Sequence, residues 1–298
     1  MAAALQKGSG WKRFLFLLWM AGNAWPNGSF MMAQQQFCSN KEGAMHIEFS
    51  FPVKSDIKPR AILSLKDAGD MTYKPKSESP SRLAFFDRFG IEPARIAGIE
   101  LKHSRNVAFV ESIQELSHAC AANRDGFDGI ITTNPWLVPS ITVADCMPIW
   151  LFCKECGAFG VLHSGWKGTG ILKTAVDGMT NRYRCNPNDI SVIFGPAIGS
   201  CCYLVDEKRA RAFKNEFGSQ AVDEHMRNGT RVFYLDLLAA NLAIAEKIGI
   251  GSFFASGSCT SCDGRFGSYR REGASSFTRM IALCIFGNAE AENRQRSM

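Results

Sequence analysis

Residues 142–170 read TVADCMPIWLFCKECGAFGVLHSGWKGTG and place a thiol and an imidazole at the ends of two apolar runs, beside glycines and small residues. Cys146 follows Val143-Ala-Asp145, and His163 precedes Ser164-Gly165-Trp166. With only five histidines in the chain, each can be weighed. His103 ends the apolar run Ile99-Glu-Leu-Lys-His103. Two imidazoles and one thiolate could form a three-ligand zinc site whose fourth position is left for water, and such a site supplies hydroxide near neutral pH. The separations of 43 and 17 residues carry no local metal signature, so a structural histidine at a strand end is the competing reading for both. His46, His118 and His225 lie in settings that suit core or surface histidines.

Other residues could bind anions or metals. Trp166-Lys-Gly-Thr-Gly170 leads from an apolar run into a helical pattern, where backbone N–H groups and Lys167 could hold a phosphate, although the spacing is not that of a P-loop. Arg270 and Arg271 in Ser268-Tyr-Arg-Arg271 offer guanidinium groups suited to phosphate or carboxylate, with one of the two expected to face solvent. Cys153-x-x-Cys156 and Cys259-x-x-Cys262 could together clamp a structural zinc; the first reads equally as a hairpin turn. There is no Gly-x-Ser-x-Gly elbow and no dinucleotide fingerprint, which argues against a serine hydrolase or an NAD enzyme.

These residues must be carried by a framework, and the pattern predicts one. Alternating or wholly apolar runs predict strands at 46–53, 61–65, 95–102, 106–112, 126–132, 140–144, 148–152, 158–163, 189–194, 232–234, 252–255, 267–269 and 279–286. Helical spacing marks 81–89, 113–121, 170–183, 206–217 and 235–248, the last two opening on an acid and closing at Gly218 and Gly249. Strands often follow one another with no helix between them. That excludes a barrel or doubly wound repeat and predicts an α+β domain with mixed sheets and helices outside. No linker divides the chain, so one domain is expected over 45–287, followed by a polar tail at 288–298.

Composition narrows the setting. The chain has 298 residues, 46% of them hydrophobic, enough for one sizeable core. Lys7, Lys12 and Arg13, with no acid before Met31, supply half of the formal charge of +6. The remainder is scattered and too small to argue for nucleic acid. Eleven irregularly spaced cysteines fit a reduced compartment better than a disulfide scaffold, and the cytoplasm is expected. Against this, Lys12-Arg13 and the apolar residues 14–21 have the order of a secretory signal. That run is too short to span a bilayer and lacks a clean cleavage site. Residues 1–31 are therefore read as a mis-annotated start, translation beginning at Met31 or Met32; export is the alternative.

Four signatures in order give the chain a resemblance. Val143-Ala-Asp-Cys-Met-Pro148, His163-Ser-Gly-Trp-Lys-Gly168, Gly195-Pro-Ala-Ile-Gly-Ser-Cys-Cys-Tyr203 and Ser268-Tyr-Arg-Arg271 resemble those of the YfiH family. These proteins are also called peptidoglycan editing factors or multicopper polyphenol oxidase (laccase-domain) proteins, and are assigned as purine nucleoside phosphorylases. The likeness runs from about Ile47 to Phe286 and implies a single αββα-type sandwich. It also implies zinc on His103, Cys146 and His163, and phosphorolysis of adenosine, inosine and methylthioadenosine with adenosine deamination beside it. Copper is disfavoured, because a multicopper centre needs more imidazoles than cluster here.

On this reading Cys146, His163 and Asp145 are catalytic, Asp145 orienting a ligand or moving a proton. Lys167, Arg270 and Arg271 would hold phosphate. The sequence departs from the family at Leu101-Lys-His-Ser104 (usually Gln-x-His-Gly), at Lys167 (often Arg) and at Val143 (usually Thr). These departures bear on substrate preference more than on metal binding. Two alternatives remain at this stage: a hydrolase of peptidoglycan precursors with Cys146 as nucleophile and His163 as base, and a zinc-stapled binding protein built on the two C-x-x-C pairs. Partners are expected to be small molecules, with no nucleic acid and no stable membrane anchor.

Overall fold

A computed structural model of the chain describes residues 44–55, 57–75 and 77–286. The signal-like segment and the tail at 288–298 lie outside the described residues.

The period-2 alternation of side chains explains the layering. In β7 (Met147–Cys153), Ile149, Leu151 and Cys153 join one apolar cluster while Trp150 and Phe152 join another. In β14 (Met280–Ile285), Met280, Ala282 and Cys284 face the same cluster as Trp150, and Ile281, Leu283 and Ile285 face a third. The shared cluster is therefore the core between two sheets. The Trp150 Nε1–H donates to the Leu283 carbonyl across it at 2.9 Å.

The first sheet has the order β1 (His46–Phe49), β2 (Arg60–Ser64), β14, β6 (Val138–Val143), β3 (Ile96–Gly98). The second runs β13 (Ser252–Ala255), β9 (Ile190–Phe194), β7, β8 (Phe159–Ser164), β5 (Gly129–Thr132), β4 (Val107–Phe109). Both are mixed: β3–β6, β4–β5 and β9–β13 pair in parallel and the other neighbours antiparallel. Phe85 and Phe86 of α1 (Pro80–Asp87) pack on the outer face of the first sheet. On the outer face of the second, α3 (Ile171–Tyr183) and α5 (Leu237–Ile248) bury Ile171, Leu172, Ala175, Leu237 and Ala240. The result is the expected αββα sandwich in one domain.

Helix ends follow the expected chemistry. The carboxylates of Asp206 and Asp236 accept from the Arg209 and Ala239 N–H groups, capping α4 (Glu207–Phe217) and α5, and Gly249 closes α5 at φ 76°. Ser112 caps α2 (Ile113–Ala122) in the same way.

Two expectations change and one alternative falls. The predicted strand at 267–269 is instead a helical turn, α6 (Tyr269–Glu272), because Ser268 caps it by accepting from the Arg271 N–H at 3.2 Å. The strand at 232–234 extends to β12 (Thr230–Leu235) and gains an unforeseen partner, β11 (Val222–Arg227), through an Asn228-Gly229 turn with both φ positive. With β10 (Leu204–Val205) they form a small third sheet. The two C-x-x-C pairs do not converge: Cys156 is joined to Cys185, Cys153 is buried, and Cys259 and Cys262 lie among other cysteines. The alternative of a zinc staple on those two pairs is therefore not formed, and Cys153-x-x-Cys156 makes the hairpin turn between β7 and β8. Among the described residues no helix is long and apolar enough to cross a membrane.

Candidate active site

Two chain crossings between the sheets build the site. Ala144-Asp145-Cys146 leaves β6 of the first sheet and enters β7 of the second, and residues 99–106 make the parallel trip from β3 to β4. Antiparallel pairing then sets Pro148 of β7 opposite His163 of β8, which brings the end of β8 beside Cys146. His103, Cys146 and His163, far apart in the chain, each present a ligand atom, and these atoms lie within 4.8 Å of one another. The two imidazole rings meet edge to face with centroids 4.9 Å apart.

Asp128, just ahead of β5, holds this geometry. Its fully buried carboxylate accepts from the backbone N–H groups of Lys102 (3.1 Å), His103 (2.9 Å) and Ser104 (2.7 Å), and from the Ser104 hydroxyl at 2.8 Å. The same carboxylate lies 2.8 Å from His163 Nδ1. Converging N–H groups bend the crossing so tightly that His103 takes φ 58°, a left-handed conformation unusual for a side-chain-bearing residue. Holding the Nδ1 proton leaves the other ring nitrogen of His163 for the cluster. Burial would raise the Asp128 carboxyl, but its bonds to His163 and Ser104 outweigh that and hold it below its ordinary value.

Electrostatics favour an ionised thiol. Desolvation pushes the Cys146 thiol up, yet the His163 charge and hydrogen bonds from both histidines prevail and bring it down to about 6. His163 is shifted the other way: desolvation works against its cation, but Cys146 and Asp128 together raise it. Gly165 makes this approach possible, since a Cβ there would stand 2.7 Å from Cys146 Sγ. Two imidazole nitrogens and a thiolate, with a carboxylate behind one imidazole, are a donor set that fits zinc, and the cluster keeps one open side.

That side faces a cavity of about 670 Å³. Trp166, Tyr203, Tyr269 and Phe277 contribute aromatic wall, and Arg209, Arg270 and Arg279 line it as well. Each arginine stacks on a wall ring: Arg209 on Trp166 at 4.4 Å, Arg270 on Tyr203 at 5.6 Å, Arg279 on Phe277 at 4.1 Å.

The comparisons with known proteins fit this geometry. Residues 72–286 match the family described as multi-copper polyphenol oxidoreductase laccase. The chain belongs to this family. It is 31% identical over 221 residues to a purine nucleoside phosphorylase of Deinococcus radiodurans, covering 72% of this chain and 78% of that protein. It is 32% identical over 163 residues to purine nucleoside phosphorylase YlmD of Geobacillus stearothermophilus, covering 53% of this chain and 59% of the relative. Adenosine deaminase RL5 of an unknown prokaryotic organism is 32% identical over 158 residues, 51% of this chain and 60% of that one. The crystal structure of YlmD from Geobacillus stearothermophilus superposes with a TM-score of 0.70 at 24% identity, covering 83% of this chain and 98% of that one.

Within this family frame the other expected site residues fall in different places. Asp145 lies at the cavity with φ 82°, and its two carboxylate oxygens accept from the Thr260 hydroxyl and the Arg270 N–H, both at 2.7 Å. It braces the crossing; the carboxylate on a site histidine is Asp128, which sequence reasoning passed over. Arg270 lines the cavity, its guanidinium also donating to the Cys202 and Leu204 carbonyls. Arg271 does not line it: its guanidinium is engaged by the carbonyls of Thr260, Ser261, Asp263 and Phe266. Lys167 is exposed and also outside the lining, over the Trp166 ring at 5.5 Å. Within the glycine-rich turn the N–H groups of Thr169, Ile171 and Lys173 are bonded to the carbonyls of Gly165, Gly168 and Gly170. Gly168 packs a Cβ-free edge against the Ser104 and His163 carbonyls. Arg209 and Arg279 were not foreseen; neither sits in a local pattern that marks it.

Proposed function

We propose that the chain is a zinc-dependent purine nucleoside phosphorylase acting on adenosine, inosine and methylthioadenosine, with adenosine deamination as a companion activity. One observation carries the reading: a His103–Cys146–His163 cluster with one open side at the floor of an aromatic cavity lined by arginines. The names of the Deinococcus and Geobacillus relatives support phosphorolysis, and that of RL5 supports deamination.

Zinc on the three residues would supply Lewis-acid polarisation and an activated water or phosphate oxygen. The chain's own groups do the rest. Asp128 fixes the His163 tautomer and the bend that presents His103. Asp145 holds the Cys146 crossing against Thr260 and α6. Aromatic faces of Trp166, Tyr203 and Phe277 suit a purine ring, and guanidinium groups of Arg209, Arg270 and Arg279 suit phosphate. Phosphate attack at the ribose C1′ breaks the glycosidic bond and yields free base and ribose 1-phosphate. Water attack at C6 of adenosine releases ammonia and yields inosine.

Phosphorus NMR of the full chain incubated with inosine and phosphate tests this. Ribose 1-phosphate growing in step with hypoxanthine is expected; hypoxanthine with free ribose and unchanged phosphate would refute phosphorolysis.

A second reading rests on the lowered Cys146 thiol in line with His163 and Asp128, an arrangement of nucleophile, base and orienting carboxylate. In that case the chain is a metal-free hydrolase of peptidoglycan precursors. Full activity on such a precursor after zinc removal would favour it; loss of all activity with zinc favours the phosphorylase.

A further inference from the structure

A second thiol cluster lies outside the cavity floor. β9 and β13 are parallel neighbours, and an isolated bridge between Ala197 and Cys259 prolongs their pairing beyond the strands. The Ala197 N–H donates to the Ser258 carbonyl, and the Thr260 N–H donates back to the Ala197 carbonyl at 3.0 Å. The two loops thus leave the sheet side by side. One carries Cys201-Cys202, the other Cys259-Thr-Ser-Cys262.

All four sulfurs lie within 4.8 Å of one another, with Cys201 and Cys202 at 3.5 Å and 3.3 Å from Cys262. These separations are too long for a disulfide, about 2.05 Å. They sit near the edge of a sulfur tetrahedron around zinc, about 3.8 Å for Zn–S bonds of about 2.3 Å. All four are free thiols. The Gly199 N–H donates to Cys259 Sγ at 3.3 Å, which suits a sulfur carrying negative charge. Four thiolates on a divalent ion leave excess negative charge, and two guanidiniums stand beside them: Arg270 donates to the Cys202 carbonyl and Arg271 to the Thr260 and Ser261 carbonyls.

We infer that Cys201, Cys202, Cys259 and Cys262 form a closed tetrathiolate zinc site. Binding exchanges four S–H protons, released to solvent, for four S–Zn bonds. The site uses one C-x-x-C pair and a vicinal pair in place of the two C-x-x-C pairs. It ties together two loops of the cavity wall: the first carries Ile198 and Tyr203, the second holds Asp145 through Thr260. The inference stands apart from the phosphorylase reading, since it concerns binding and not reaction.

The test is metal content of the purified full chain by mass spectrometry. About two zinc ions per chain are expected, falling to about one in Cys146→Ala and about one in Cys201→Ser/Cys262→Ser. Cobalt substitution of Cys146→Ala gives a readout that does not depend on the second variant folding. It should show the intense ligand-field and sulfur charge-transfer bands of tetrathiolate cobalt. A Cys146→Ala protein with no residual metal, or recovery of the four cysteines as disulfides after alkylation without reductant, would overturn the inference.

Discussion

Cys146 shares its cluster with two imidazoles and a cavity, whereas Cys202 shares its own with three thiols and two loops. Around Cys146 the donors number three, and an aspartate behind one of them fixes its ring. Around Cys202 the donors number four, and none of the four cysteines is among the residues lining the cavity. Three ligands leave a coordination position for substrate, while four thiolates close the shell and leave only mechanical work. On the readings proposed above, donor number is what separates chemistry from stapling in this chain.

The largest break in this contrast should come from Cys146→Ala, which we expect to lower phosphorolysis by about 10³-fold or more with the fold intact by circular dichroism. Gly165→Ala should follow. Its Cβ would stand 2.7 Å from Cys146 Sγ and displace the thiol, costing about 10²-fold in kcat/KM. Asp128→Asn leaves all three donors in place but weakens their orientation. Zinc affinity measured against a chelator should drop about 10- to 100-fold.

The smallest effect concerns stability. Glu272 accepts from the Thr278 N–H at 2.7 Å and pairs with Arg271 and Lys66, closing the segment that carries Tyr269 and Phe277. Burial would raise its carboxyl; the Thr278 bond and the two cations outweigh this and hold it at about 2. A carboxyl lowered on folding stabilises fully above its unfolded value of 4.5 and loses that contribution as the pH falls through about 2. Glu272→Gln should therefore cost about 1–2 kcal/mol at pH 7, with melting curves that converge toward pH 2.

How legible each part was depended on how local its signal is. Cys146 and His163 stood out because each borders an apolar run beside small residues, and the family resemblance carried by the four signatures tied them to His103. Strand alternation and helix caps were equally local, so most elements fall where the pattern put them. Asp128 was silent because its role exists only once two crossings and β8 converge on it. The pairing of Cys201-Cys202 with Cys259-x-x-Cys262 was hidden for the same reason: parallel strands β9 and β13 create it across some sixty residues of chain. The hairpin of β11 and β12 is different. Asn228-Gly229 is a strong local turn signal, but its first strand, Asp-Glu-His-Met-Arg, is charged and exposed and shows no alternation.

Phosphate dependence of base release tests the central claim most directly. The full chain is given adenosine and inosine with and without phosphate, and products are separated by chromatography. Adenine and hypoxanthine forming only with phosphate, and inosine forming from adenosine without it, is the predicted result. Base release at equal rates in both conditions, or no product from zinc-loaded protein, would contradict the account.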